Sequence, residues 1–238
     1  MSVATQARTV PPPTTLAIMA APLSWSLPGN VRIAFSTIAD GDMRDADRRA
    51  LFLAGVGCRA PCAVSNQVHG SVIAQAIDGG SPAVADGLAT RTPGRAIAVF
   101  GADCPGLCIA ASDALVVAHC GWRGTAAGIV DAAIAALARL TTEPRPAWHA
   151  FIGPGISGAH YEVDAPVLNA RSWPSGALRD QRGDRARLDL ATVIATDLSA
   201  NDVSSVTRAG ICTWDDPRLW SYRRRGPGLV QALVAWRD

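Results

Sequence analysis

The chain has 238 residues, 49% hydrophobic and 18% charged, enough for one large core, and a single domain is expected. Its 22 basic and 20 acidic residues leave a net charge of +2, which gives no electrostatic footprint for a nucleic acid or an anionic membrane. Six cysteines are too sparse for a disulfide scaffold and suit a reducing, cytoplasmic setting. Asp113 and Asp131 interrupt the best apolar stretches before they reach the roughly 18 to 20 residues of a membrane span.

In chain order, residues 1–20 carry one Arg and Pro11-Pro12-Pro13 before a short apolar run, which predicts a loosely docked arm rather than a leader, with the domain covering 21–238. A strand is expected over Val31–Phe35. A short helix is expected over 45–54, with Asp45 near its cap and Gly55 past its end. Residues 62–68 and 71–77 read as paired strands, and Gly79-Gly80-Ser81-Pro82 as a turn. Strands should follow at 86–90, 95–100 and 115–118, the last two as short apolar runs typical of buried strands. The longest helix is expected over 125–140, since Ile129, Ala133, Ile134, Leu137 and Leu140 recur at helical spacing and Thr125 could cap it. Phe151-Ile152-Gly153-Pro154-Gly155 ends a strand in a tight loop, 171–187 reads as a polar excursion, 189–199 as a helix and 229–236 as a final strand.

Reactive side chains stand where these apolar runs end. Ala102-Asp103-Cys104 follows one run, Ala118-His119-Cys120 closes another, and Gln67-Val68-His69-Gly70 closes a third. His69, Cys104 and His119 are therefore expected to converge at one sheet edge. Three readings fit such a set. Two imidazoles and a thiolate are sound zinc ligands that leave a fourth position open, as a catalytic site needs. Alternatively, Cys104 is a nucleophile with His119 as its base and Asp103 as an orienting group. The bland reading is packed, hydrogen-bonded core residues. Cys58, Cys62, Cys108 and Cys212 are read as packing residues, Cys120 as pointing into the core, and His149 and His160 as structural. Arg123 is the most attractive anion binder, because a guanidinium fork grips phosphate in two places and Arg123 lies beside an expected helix start. The three cations of Ser221-Tyr222-Arg223-Arg224-Arg225-Gly226 would ordinarily be a solvated surface.

Taken together, Asn66-Gln67-Val68-His69-Gly70, Ala102-Asp103-Cys104-Pro105, His119-Cys120-Gly121-Trp122-Arg123-Gly124, Ile152-Gly153-Pro154-Gly155-Ile156, Tyr161-Glu162-Val163 and Ser221-Tyr222-Arg223-Arg224 resemble the YfiH-like family. That family was formerly called multicopper polyphenol oxidases and is also named peptidoglycan editing factors. The resemblance runs from about Val31 to the end. It implies an α+β single domain with mixed β-sheets flanked by helices, of the kind shared with cytotoxic-necrotizing-factor-like cysteine hydrolases. It also implies a zinc site formed by His69, Cys104 and His119, and a purine nucleoside phosphorylase acting on adenosine, inosine, guanosine and methylthioadenosine, with adenosine deaminase activity as well. Phosphate would then be held by cations, with Arg123 and Arg224 the candidates, and Asp103 close enough in sequence to take part in catalysis. The partners would be small molecules. The rival readings are a cell-wall precursor editing hydrolase using Cys104, a copper-dependent polyphenol oxidase, which four His residues serve poorly, and a non-catalytic zinc-stabilised module. The chain departs from the family pattern at Cys120, where Ala is usual, at Ala159-His160, where two cysteines are usual, and in the order Pro105-Gly106. A shortened Ser36-Thr37-Ile38-Ala39-Asp40-Gly41 segment is a further departure.

Overall fold

The computed structural model describes residues 22–59, 61–76 and 83–238. The arm expected over 1–20 and the turn over 79–82 lie outside the described residues. In chain order the strands are β1 (Leu23–Leu27), β2 (Val31–Phe35), β3 (Cys62–Ala63), β4 (Ile73–Gln75), β5 (Gly87–Thr90), β6 (Ala96–Gly101) and β7 (Gly106–Ala110). There follow β8 (Leu115–His119), β9 (His149–Ile152), β10 (Glu162–Val163), β11 (Leu178–Arg182), β12 (Arg185–Leu188), β13 (Ser205–Arg208) and β14 (Gln231–Arg237). The helices are α1 (Ala46–Gly55), α2 (Trp122–Ala126), α3 (Ile129–Ala138), α4 (Ala165–Leu168), α5 (Leu190–Ala200) and α6 (Tyr222–Arg225).

A strand's side chains alternate between two faces, and here both faces of the central strands are apolar. Leu107 and Ile109 of β7 and Val116 and Ala118 of β8 join Ile129, Ile134, Leu137 and Ile194 of α3 and α5 in one core. Cys108, Ala110, Leu115 and Val117, the alternate residues, meet Ile33, Phe35, Ile97, Val99 and Leu233 in a second. The reverse face of those last strands, through Ala34, Ala98, Val234 and Trp236, covers Phe52 and Leu53 of α1. The result is four layers. Helix α1 lies on a five-stranded sheet of order β1-β2-β14-β6-β3, which lies on a six-stranded sheet of order β13-β9-β7-β8-β5-β4, which lies under α3 and α5. Burial on both faces explains why the central strands read as continuous apolar runs rather than as alternating ones. Trp25 of one sheet meets Phe151 of the other with ring centroids 4.7 Å apart. Truncating fully buried Phe151 to Ala would cost about 3–5 kcal/mol.

The α+β expectation is met, and three local expectations are corrected. Residues 62–68 and 71–77 do not pair: β3 runs parallel to β6 in one sheet and β4 parallel to β5 in the other. The expected long helix is two helices, because Gly128 adopts φ 84°, a left-handed conformation that ends α2 and serves as the N-cap of α3. Thr125 caps neither: it lies buried within α2, whose N-cap is Gly121, and its Oγ1 has no hydrogen-bond partner. The longest helix among the described residues is instead α5, capped by the Asp189 carboxylate on the Thr192 amide. The polar excursion expected over 171–187 holds, with β11 mostly exposed, and it is ordered: β11 and β12 form an antiparallel pair that β10 extends to a three-stranded sheet. This small sheet encloses its own apolar cluster, including Ile156, Tyr161, Trp173 and Leu188, with Trp122 and Trp214 at its margin. Among the described residues no helix is long and apolar enough to cross a membrane.

Candidate metal centre

The three expected donors converge. His69, Cys104 and His119 offer ligand atoms that all lie within 4.8 Å of one another, and the group could hold a metal ion. Each arrives by a different route. His119 is the last residue of β8, opposite Gly106 of β7. Cys104 sits in the turn between β6 and β7, which carries the chain from the five-stranded to the six-stranded sheet. His69 lies in the loop before β4 at φ 61°, an uncommon conformation for a residue other than glycine. The imidazoles of His69 and His119 meet edge to face, with centroids 4.8 Å apart. His119 is buried, Cys104 half-buried and His69 exposed, so the group opens to solvent on the His69 side.

What holds His69 in its strained turn is a residue the sequence reading passed over. Asp86, 1% exposed at the mouth of β5, accepts the backbone N–H groups of His69 at 2.8 Å, Gly70 at 2.7 Å and Val68 at 3.2 Å. Its Oδ1 also lies 3.2 Å from Nδ1 of His119. One carboxylate thus fixes both imidazoles, one through its ring and one through its backbone. A carboxylate behind a ligating histidine sets the ring's tautomer and raises its basicity. Asp86 stands between Ala85 and the apolar run of β5, and that isolation was its only signal in the sequence. Asp103, expected as the orienting group, is turned elsewhere: its carboxylate accepts the Thr213 hydroxyl at 2.6 Å and the Arg223 amide at 2.7 Å.

The charges of the group are coupled. Burial raises the Cys104 thiol, but the His119 charge and hydrogen bonds from both imidazoles outweigh it and bring the pKa down to about 6. Burial alone would lower His119; the Cys104 thiolate and Asp86 reverse this and lift it to about 9. Asp86 is itself held below the usual carboxylate range, burial being overcome by His119 and the backbone amides of Gly70 and Val68. Near neutral pH the protein without an ion therefore carries a thiolate, an imidazolium and a carboxylate in a row. At Cys108, by contrast, burial acts alone and pushes the thiol up to about 12.

Space in front of the donors is kept by Gly121. A Cβ at this position would lie 3.0 Å from Sγ of Cys104, 3.2 Å from Cδ2 of His69 and 3.4 Å from Cε1 of His119. Two imidazoles, a thiolate and this gap match what a three-ligand metal site needs.

The two expected phosphate cations differ in availability. Arg123 is exposed, its guanidinium lies 4.4 Å over the Trp122 ring, and it has no hydrogen-bond or ion-pair partner among the described residues. Arg224 is committed elsewhere: its guanidinium donates to the carbonyls of Trp214, Leu219 and Asp216, clamping the loop that precedes α6. Its neighbour Arg223 donates to the Glu162 carbonyl at 2.7 Å and lies 4.7 Å over the Tyr161 ring. Cys120 is fully buried in the core under α3. His149 shares a 2.7 Å hydrogen bond with Ser205 across β9 and β13. His160, expected as structural, pairs with Asp215 at 2.8 Å and stacks on Trp214, and Cys212 joins these two in a second group of possible donors.

A family model described as multi-copper polyphenol oxidoreductase laccase matches residues 35–237. A protein of Deinococcus radiodurans named purine nucleoside phosphorylase is 35% identical over 185 residues, covering 75% of this chain and 71% of that one. One of the same name from Mycobacterium tuberculosis is 31% identical over 207 residues, covering 84% and 82%. Among solved structures, a Neisseria meningitidis protein superposes with a TM-score of 0.80 at 26% identity, covering 92% of this chain and all of its own. YlmD from Geobacillus stearothermophilus superposes with a TM-score of 0.81 at 23% identity, covering 92% and 97%, which speaks for the fold alone. Four layers with a histidine–cysteine–histidine group at the end of β8 that could hold a metal ion place the chain in the α+β class, and it belongs to the multi-copper polyphenol oxidoreductase laccase family, the YfiH proteins.

Proposed function

We propose that this chain is a purine nucleoside phosphorylase working in the cytoplasm on small molecules, with one zinc ion held by His69, Cys104 and His119. The observation that carries the proposal is the convergence of these three donors around the gap at Gly121, two residues before Arg123, whose exposed guanidinium has no hydrogen-bond or ion-pair partner among the described residues. Relatives at 31–35% identity named purine nucleoside phosphorylase supply the reaction class. Zinc suits two imidazoles and a thiolate; bound there it supplies Lewis acidity. A multi-copper centre does not suit this donor set. The chain has four histidines in all, too few for the several imidazole-rich copper ions of such a centre.

The chain's own residues then have defined tasks. Asp86 keeps Nδ1 of His119 engaged and so leaves Nε2 for the site. Arg123 grips phosphate, and the cation is best placed where negative charge approaches a ribose that has gained oxocarbenium character. A phosphate oxygen forms its bond to C1′ of the ribose as the C1′–N9 bond breaks. The proton carried by hydrogen phosphate ends on the departing purine, so the products are ribose 1-phosphate and free base. We assign Arg224 to holding the loop and Asp103 to anchoring the Cys104 turn on Thr213 and α6. The same site serves adenosine, inosine, guanosine and methylthioadenosine, and deaminates adenosine as a side reaction.

Product analysis tests the proposal. Adenosine with phosphate should give adenine and ribose 1-phosphate, with inosine as the deamination product and no adenine when phosphate is omitted. Hydrolysis of adenosine to adenine and free ribose, or turnover of phenols or cell-wall precursors with nucleosides untouched, would overturn it.

A further inference from the structure

We propose that His160, Cys212 and Asp215 form a second site for a divalent transition metal of the zinc class, separate from the centre at Cys104. Their ligand atoms lie within 4.8 Å of one another, and Nε2 of His160 is 2.8 Å from Oδ1 of Asp215. Ligand atoms bonded to one zinc at about 2.0–2.3 Å stand about 3.3–3.8 Å apart in a tetrahedral arrangement. An ion would take the place of the direct His160–Asp215 contact, opening it from 2.8 Å to the span of two zinc ligands, while all three donor atoms already lie within 4.8 Å of one another. An imidazole, a thiolate and a carboxylate form a mixed donor set that favours zinc over calcium or magnesium, which prefer oxygen ligands throughout.

The donors come from two segments that the backbone already ties together. Gly155 and Cys212 form a parallel bridge, the Gly155 amide donates to the Ile211 carbonyl at 3.3 Å, and the Thr213 amide donates to the Gly155 carbonyl at 3.1 Å. His160 is fixed by its 9° stack on Trp214, with centroids 5.3 Å apart, and by its amide bond to the Ser157 carbonyl. The Ser157 amide points at Sγ of Cys212 at 3.4 Å, the contact an outer partner gives to a ligating thiolate. His160 is 31% exposed and Asp215 60% exposed, so an ion has a path in from solvent.

The same two segments hold the turn of the first centre. Thr213, next to Cys212, donates its hydroxyl to Asp103, and the Ile156 amide donates to the Asp103 carbonyl at 2.8 Å. An ion at the second site would therefore stiffen the frame on which Cys104 is carried.

Cobalt uptake by the full-length chain, stripped of metal, tests this. Cys104→Ser should still take up one Co2+ per chain and show a sulfur-to-cobalt charge-transfer band, and adding Cys212→Ser should abolish both. In the otherwise unaltered chain, His160→Gln should lower uptake from two ions to one, with an unchanged far-ultraviolet circular dichroism spectrum. The proposal is overturned if a folded Cys104→Ser chain takes up no cobalt, if its band survives the loss of Cys212, or if His160→Gln leaves the stoichiometry unaltered.

Discussion

Oδ1 of Asp86 stands 3.2 Å from Nδ1 of His119, and the same carboxylate receives the backbone amides that hold His69 in place. The geometry of the metal group is thus set by a residue that contributes no ligand to it. Asp86→Asn keeps the shape but gives up the charge and part of the acceptor capacity. Metal affinity is expected to fall about 10–100-fold, as for loss of an outer-shell partner. Competition with a chelator measures this, and a near-native circular dichroism spectrum separates it from unfolding.

Gly121→Ala places a methyl group within 3.0 Å of the Cys104 sulfur and 3.2 Å of the His69 ring. Overpacking of this kind costs about 1–3 kcal/mol, which in binding is roughly five- to a hundredfold. The loss should appear in metal uptake, measured by isothermal titration.

The pH behaviour of Cys104 follows from its neighbours. A thiol whose pKa is lowered to about 6 is ionised at neutral pH, whereas one at the ordinary value is mostly protonated. In metal-stripped protein, alkylation of Cys104 by iodoacetamide should rise with a midpoint near 6. Asp86→Asn weakens the imidazolium of His119 and should move that midpoint upward. Peptide mass mapping keeps the Cys104 signal apart from the other five thiols.

The two arginines should separate cleanly. Arg123→Ala removes an exposed cation with no hydrogen-bond or ion-pair partner among the described residues, so kcat/KM for phosphate should fall about 10–100-fold with the unfolding midpoint little changed. Arg224→Ala strips donors from the Trp214, Leu219 and Asp216 carbonyls and should cost about 1–3 kcal/mol of stability, read from urea denaturation.

The parts of this molecule legible in the sequence are those that local pattern decides. β2, β6, β8 and β9 show as apolar runs, α1 and α5 begin at the aspartates that cap them, and the three donors stand where runs stop. Other features depend on partners distant in the chain. β3 and β4 are adjacent in sequence, yet each finds a parallel neighbour in a different sheet. The spacing of Ile129, Ile134 and Leu137 is helical, but it carries no record of the φ of Gly128 that starts their helix anew. Asp86 resembles any acid at the start of a strand until the fold brings the 68–70 loop and the end of β8 to it. Arg224, a phosphate candidate in the sequence, depends on distant partners in the same way: only the folded loop brings the Trp214, Asp216 and Leu219 carbonyls to its guanidinium.

Metal removal and restoration tests the central claim most directly. The protein is stripped with chelator and assayed for phosphate-dependent release of adenine from adenosine, then assayed again with two zinc ions added per chain, enough for both donor groups, alongside a Cys104→Ala variant treated in the same way. The account predicts a silent stripped protein, activity regained with zinc, and a folded Cys104→Ala variant that stays silent. Full activity in the stripped protein, or in the variant lacking the thiolate, would contradict it.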